Sequence, residues 1–294
     1  MKDILINDRY RVDYKIGEGG FGLVYAGTDT TTDEEVAIKL THESGEVEAL
    51  EYEASTYASL SGSVGIPRML WYGNECEFQV LVQELLGPTL EDVFNYCYRR
   101  FSLKTVLLIA DQCIRRIKCI HDKGYVHCDI KPNNLLLGVG RSGNVIYTID
   151  FGIAMDFEES DGRVIRDDRP LGKATQYATI NNHKWLDQSR VDDLESLGYV
   201  LLYFAHGSLP WHGLKTNTPV NDLCKGLPEA FAQYMSYLRC LQPADKPNYA
   251  YLLKLFKTLF VARGFKYDNV YDWTEKRFYE LQNCSKATRQ RRNM

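Results

Sequence analysis

His127-Cys128-Asp129-Ile130-Lys131-Pro132-Asn133-Asn134 decides how this sequence is read, because it sets a carboxylate, a lysine and an amide at fixed offsets in one polar loop. Each side chain has its own use. Asp129 can orient a hydroxyl and take its proton, Lys131 can offset charge that moves in a group transfer, and Asn134 offers an oxygen to a hard cation such as Mg²⁺. Asp150-Phe151-Gly152 follows the strand-like stretch Val145 to Ile149 and supplies a second hard-oxygen ligand. A lone Asp-Phe-Gly tripeptide is common. Its weight lies in its order, one short hairpin after the loop, built on Leu135-Leu136-Leu137 and Gly143-Asn144.

Upstream, Gly17-Glu18-Gly19-Gly20-Phe21-Gly22, continued by Leu23 and Val24, is a G-x-G-x-x-G run whose backbone can approach phosphate oxygens unobstructed. The same run opens dinucleotide-binding turns, but those require a helix directly after the glycines, and Leu23 to Thr28 reads as a strand. The glycines therefore belong to a hairpin that can cover phosphates. Val36-Ala37-Ile38-Lys39 is a strand ending in a lysine, placed to meet the α- and β-phosphates if a carboxylate holds it. Glu53 is the expected holder, with Glu46, Glu48 and Glu51 as solvent-facing competitors on the same predicted helix.

Around these motifs the periodicity changes once. Tyr10 to Ile16, Gly22 to Thr28, Val36 to Leu40, Met69 to Tyr72 and Phe78 to Gln83 read as strands, interrupted by one helix between Gly45 and Ser61 with apolar residues Val47, Leu50, Ala54, Tyr57 and Leu60. Gly87-Pro88 reads as a hinge. Beyond it, Leu103 to His121, Val191 to Phe204 and Tyr249 to Phe260 carry helical patterns. The expected class is α+β in two lobes: residues 1–86 a small antiparallel sheet with one helix, 87–283 a larger, mainly helical lobe, and 284–294 a short basic tail.

Composition narrows the field further. The 294 residues are 45% apolar and carry a formal net charge of −4, which suits a globular core and gives no electrostatic footprint for nucleic acid. The eight cysteines form neither a CxxC pair nor a zinc-spaced cluster and read as reduced thiols. Met1-Lys2-Asp3-Ile4 does not begin a secretory signal, and the apolar run from Tyr199 to Ala205 is too short for a membrane span. A monomer in the cytoplasm, the nucleus or both is the expectation.

Taken together, these motifs resemble the protein kinase superfamily and, within it, the casein kinase 1 family. The narrower likeness rests on Glu84-Leu85-Leu86-Gly87-Pro88-Thr89-Leu90-Glu91-Asp92, Phe101 to Val106, Asp192 to Tyr199, Gly207-Ser208-Leu209-Pro210-Trp211 and Tyr267 to Trp273. It spans about Tyr10 to Phe278, with Thr179-Ile180-Asn181 where other kinases carry Ala-Pro-Glu. The resemblance implies the bilobal kinase fold, MgATP, and transfer of phosphate to serine or threonine of protein substrates. It also implies that Glu84 and Leu86 offer backbone bonds to adenine, that Ile16, Val24, Ala37, Leu136 and Ile149 sandwich the base, that Gln83 stands at the gatekeeper position, and that Asp193 braces the catalytic loop.

Several departures from that family bear on regulation. Cys128 replaces the arginine that commonly pairs with a phosphorylated activation loop, so activity should not wait on that modification; its thiol reads as a buried small residue, with a redox role as the alternative. Gln176 stands where relatives place an arginine that reads primed substrates, and the basic stretch expected after Gly213-Leu214-Lys215 is missing. The activation segment is acidic (Asp156, Glu158, Glu159, Asp161, Asp167, Asp168), only partly offset by Arg163, Arg166, Arg169 and Lys173. These features predict weakened preference for phospho-primed or acidic substrates. Lys286, Arg289, Arg291 and Arg292 read as a solvated, disordered basic end, with nuclear import or acidic-lipid contact as the alternative. The competing readings are a nucleotide-binding pseudokinase scaffold and, more distantly, a dinucleotide-dependent oxidoreductase.

Overall fold

Strand alternation sends Val36 and Ile38 to one face of a sheet and Ala37 and Lys39 to the other, and that split organises the first third of the chain. In the computed structural model the described residues are 4–19, 22–43, 47–157, 176–179, 181, 188–209 and 219–292, without the side chains of Val47 and 284–292. Strands β1 (Leu5–Ile6), β2 (Tyr10–Gly19), β3 (Gly22–Asp29), β4 (Glu34–His42), β5 (Met69–Glu75) and β6 (Phe78–Glu84) form one antiparallel sheet in the order β1-β2-β3-β4-β6-β5. Its outer face buries Ile6, Tyr10, Val36, Ile38, Val80 and Val82 together. Its inner face carries Lys39 opposite Val24 and Leu81, and Ala37 opposite Ala26 and Gln83.

Helix α1 (Val47–Ser59) lies against that inner face. Its apolar stripe, Leu50, Ala54 and Tyr57, continued by Leu60, packs with Leu81 of the sheet and with Ile120, Phe151 and Ala154 of the second lobe. One small core thus joins the sheet, the helix and the segment around Asp150. The Glu53 side chain projects from the same helix into this contact and is 1% exposed.

The larger lobe contains α2 (Leu90–Tyr96), α3 (Leu103–Asp122), α4 (Arg190–His206), α5 (Val220–Leu223), α6 (Glu229–Cys240), α7 (Tyr249–Ala262) and α8 (Asp272–Arg292). Four starts are capped by side chains: Thr89 and Ser189 in reciprocal capping boxes with Asp92 and Asp192, Ser102 accepting from the Thr105 N–H, and Asn248 accepting from the Tyr251 N–H. Helix α4 runs through the middle of the lobe, buried along almost its whole length, which is why its sequence is apolar on nearly every side. Gly198 lets it approach α6; a Cβ there would stand 2.4 Å from the Met235 Sδ. Two small antiparallel pairs complete the lobe, the hairpin of β8 (Leu135–Leu137) with β9 (Ile146–Thr148) and, on either side of it in sequence, β7 (Tyr125–Val126) with β10 (Met155–Asp156).

Gly87-Pro88, read from sequence as a hinge, is fastened to the large lobe. The Gly87 N–H donates to the Leu137 carbonyl at 2.8 Å, the Leu137 N–H returns a bond to Pro88 at 3.0 Å, and Thr89 bridges Leu136. The crossing between lobes therefore ends before Gly87. Helix α8 carries the backbone through Arg292, so the basic segment expected to be disordered is helical up to that residue.

Candidate active site

Between the lobes lies a cleft of about 610 Å³, lined from the sheet side by Gly17, Glu18, Gly22, Val24, Lys39 and Gln83, and from α1 by Glu53 and Tyr57. Thr89, Asp129, Lys131, Asn133, Asn134, Ile149 and Asp150 complete it from the other lobe. The glycine run connects β2 to β3 as an antiparallel hairpin, so no helix follows it and a dinucleotide-type turn is excluded. Gly22 has φ +134°, and a Cβ there would meet the Leu40 carbonyl oxygen at 2.1 Å; only glycine fits that turn. Gly20 and Phe21 lie outside the described residues, as do Glu46, Ile180, 158–175 of the acidic segment and 210–218.

At the back of the cleft the Lys39 Nζ stands 2.6 Å from Glu53 Oε2 and 3.1 Å from Asp150 Oδ1. Burial works against the ammonium, but the two carboxylates outweigh it and raise the Lys39 pKa, so the lysine stays charged. Burial likewise opposes ionisation of Asp150, yet the Lys39 charge prevails and its pKa is lowered. Asp150 is held in the left-handed region at φ +68°, a strained conformation for a residue other than glycine.

The loop around Asp129 is bound by its own members and by α4. Lys131 Nζ donates to Asp129 Oδ2 at 2.5 Å, and Asn134 Nδ2 donates to the same oxygen at 3.0 Å and to the Asp129 carbonyl at 2.9 Å. Asp193 accepts the backbone N–H groups of His127 at 2.7 Å and Cys128 at 2.9 Å, which fixes a turn in which Cys128 has φ +67°. His121 completes the Asp193 cradle at 2.9 Å. The His127 ring bonds the Ile149 carbonyl at 3.0 Å and packs on Phe151, with centroids 4.9 Å apart, tying this loop to the Asp150 segment. Desolvation raises the Asp129 pKa, and Lys131 offsets part of that rise. Cys128 is buried against Val126 and Phe157.

Other expected contacts sit beside the cleft without lining it. Ala37 is buried on the same sheet face as Lys39, Ile16 is 46% exposed on β2, Leu23 pairs with Leu40, and Leu136 is held between Tyr147 and the Thr89 bridge. Glu84 spends its N–H on the Arg68 carbonyl and its carboxylate on the Arg68 N–H. Among the described residues, no backbone partner is found for the N–H or C=O of Leu86. Tyr57, Thr89 and Asn133 line the cleft although no sequence signal assigned any of them a role there; Thr89 and Asn133 sit within quoted motifs, whereas Tyr57 falls on the apolar stripe of α1 and reads in sequence as core.

Residues 10–250 match the protein kinase domain family. The chain belongs to that family. The two lobes are those of the bilobal kinase fold, and the family's chemistry is phosphoryl transfer to protein substrates with ATP and a divalent metal. The kinase's donors fit a small hard cation. Asp150 is an ionised carboxylate, and Asn134 commits its N–H groups to Asp129, which leaves its oxygen as the remaining ligand. Among the described residues no group of three or more His, Cys, Asp or Glu could hold a metal ion. No helix of the described residues is long and apolar enough to cross a membrane.

Proposed function

We propose that this kinase is catalytically active and transfers the γ-phosphate of MgATP to serine or threonine hydroxyls in the manner of casein kinase 1. The observation that carries the reading is the joint closure of the cleft: Lys39 meets Glu53 and Asp150 while Asp129, Lys131 and Asn134 are already in mutual contact. A pseudokinase scaffold has no need to keep all of these groups.

The roles follow from the contacts. Lys39, kept charged, faces the α- and β-phosphates under the Gly17 to Gly22 hairpin, and Leu86 offers its free N–H and C=O to adenine, with Glu84 beside it. Ile16, Val24, Ala37, Leu136 and Ile149 close around the base. Asp150 and Asn134 would hold Mg²⁺, which neutralises phosphate charge when bound. Both hydrogen bonds to the Asp129 side chain fall on Oδ2, so Oδ1 is the oxygen that orients the substrate hydroxyl and takes its proton. Its raised pKa suits a base better than that of an ordinary aspartate. Lys131, beside Asp129, offsets charge on the moving phosphoryl group.

With Cys128 in place of arginine, the buried thiol can pair with no phosphate, and activity is independent of activation-loop phosphorylation. Gln176 is neutral and spends its Nε2 on the Tyr177 hydroxyl at 2.7 Å, which supports a weakened preference for primed or acidic substrates. We place the lobe division at residues 86 and 87, and the protein as a monomer in cytoplasm or nucleus. Labelled ATP and casein, comparing wild type with Asp129→Asn, test the reaction: the expected loss of turnover is about 10²- to 10⁴-fold. Equal labelling removes the assigned base. A positional peptide library tests the substrate rule, and strong selection for phosphoserine three residues upstream overturns it.

A further inference from the structure

Helix α1 grips the metal loop through two side chains one helical turn apart. Glu53 accepts the backbone N–H of Phe151, and the Tyr57 hydroxyl accepts the backbone N–H of Asp150 at 3.0 Å. Tyr57 is 1% exposed, and its ring meets Phe151 edge-on with centroids 5.1 Å apart. A phenol can accept one hydrogen bond and donate another. Behind it stands Gln83, placed with its amide N–H donating to the phenol oxygen and its Oε1 buried and unpartnered. The two ends of an amide are distinguished only by their partners. A half-turn of this one brings Oε1 to the phenol proton, for which no other acceptor is found among the described residues, so that the phenol accepts from Asp150 and donates to Gln83.

We propose that Tyr57 is a positioning residue for Asp150, acting through a chain in which the Asp150 N–H donates to the Tyr57 hydroxyl and that hydroxyl donates to Gln83 Oε1. The strained Asp150 backbone needs such a hold, because a residue at φ +68° persists only where its surroundings over-determine it. The chain makes the carboxylate's aim depend on where α1 sits. It also gives a polar side chain at the back of the nucleotide cleft a task that an apolar one cannot perform. The inference rests on Asp150 being a metal ligand, but its first test does not.

Tyr57→Phe keeps the ring against Phe151 and deletes only the hydroxyl. In the nucleotide-free, metal-free full chain, exchange of the Asp150 amide hydrogen is expected to quicken about two- to tenfold, the worth of one hydrogen bond. Unchanged exchange overturns the proposal, whether or not the protein transfers phosphate. In the kinase assay, the Mg²⁺ concentration for half-maximal rate should rise by a similar factor while the KM for ATP at saturating Mg²⁺ holds. A parallel rise in both would mark a general loosening of the cleft and reject the positioning role. Gln83→Leu should shift exchange in the same direction by less, and the double variant Tyr57→Phe/Gln83→Leu should be no worse than Tyr57→Phe; additive effects break the chain at Gln83.

Discussion

The Lys39 corner and the Asp129 loop are similarly rich in charge but are held together in opposite ways. In the corner, Lys39 finds partners 14 and 111 residues away, on α1 and on the segment after β9. In the loop, Asp129 is bound by side chains 2 and 5 residues away, and the backbone beside it is pinned by Asp193 from the buried helix α4. The loop is therefore built once the large lobe folds, whereas the corner exists only when α1 and the sheet are seated on that lobe. A kinase arranged this way can be switched by moving α1 without dismantling its base.

The contrast can be broken most severely at Asp193. Asp193→Ala strands two buried backbone N–H groups and the His121 imidazole, and should cost ~3–5 kcal/mol of stability. Urea unfolding measures it. A loss within experimental scatter would show that the loop does not depend on α4.

Acidification gives a smaller but more local effect. The base must be ionised, and the Asp129 pKa is raised by burial, so turnover should begin to fall at a higher pH than an unperturbed aspartate would dictate. Lys131 holds that pKa down, so Lys131→Ala should move the acid limb of the kcat profile higher still. Asp150, lowered by Lys39, remains ionised through that range. An acid limb that stays put in Lys131→Ala would mean a different group titrates.

The same contrast explains what was legible in the sequence. Asp129, Lys131 and Asn134 could be read as candidates because they fall at short fixed offsets in one loop, and Lys39 and Asp150 because each closes a short motif of its own, a strand ending in lysine and an Asp-Phe-Gly after a hairpin. Tyr57 could not. Its spacing on α1 matches the apolar stripe of Leu50, Ala54 and Leu60, and only the fold reveals that its hydroxyl meets a backbone amide 93 residues away. Gln83 was legible as a polar residue in an apolar place, but not its neighbour. Gly87-Pro88 reads in sequence as a break in the chain, but its bonds to Leu137 could not be read, because they come from a distant hairpin. Helices α2, α5, α6 and α8 went unread, α2 and α5 because seven and four residues offer at most two turns of periodicity.

The account stands on one nucleotide touching both halves of the site, and calorimetric titration of MgATP into three proteins tests this directly. Lys39→Met should weaken binding about ten- to hundredfold through loss of a charge-assisted contact, while Asp129→Asn, which changes only the hydroxyl-facing base, should bind as wild type does. Equal affinity in all three would contradict it, because the Lys39 corner would then lie outside the nucleotide site.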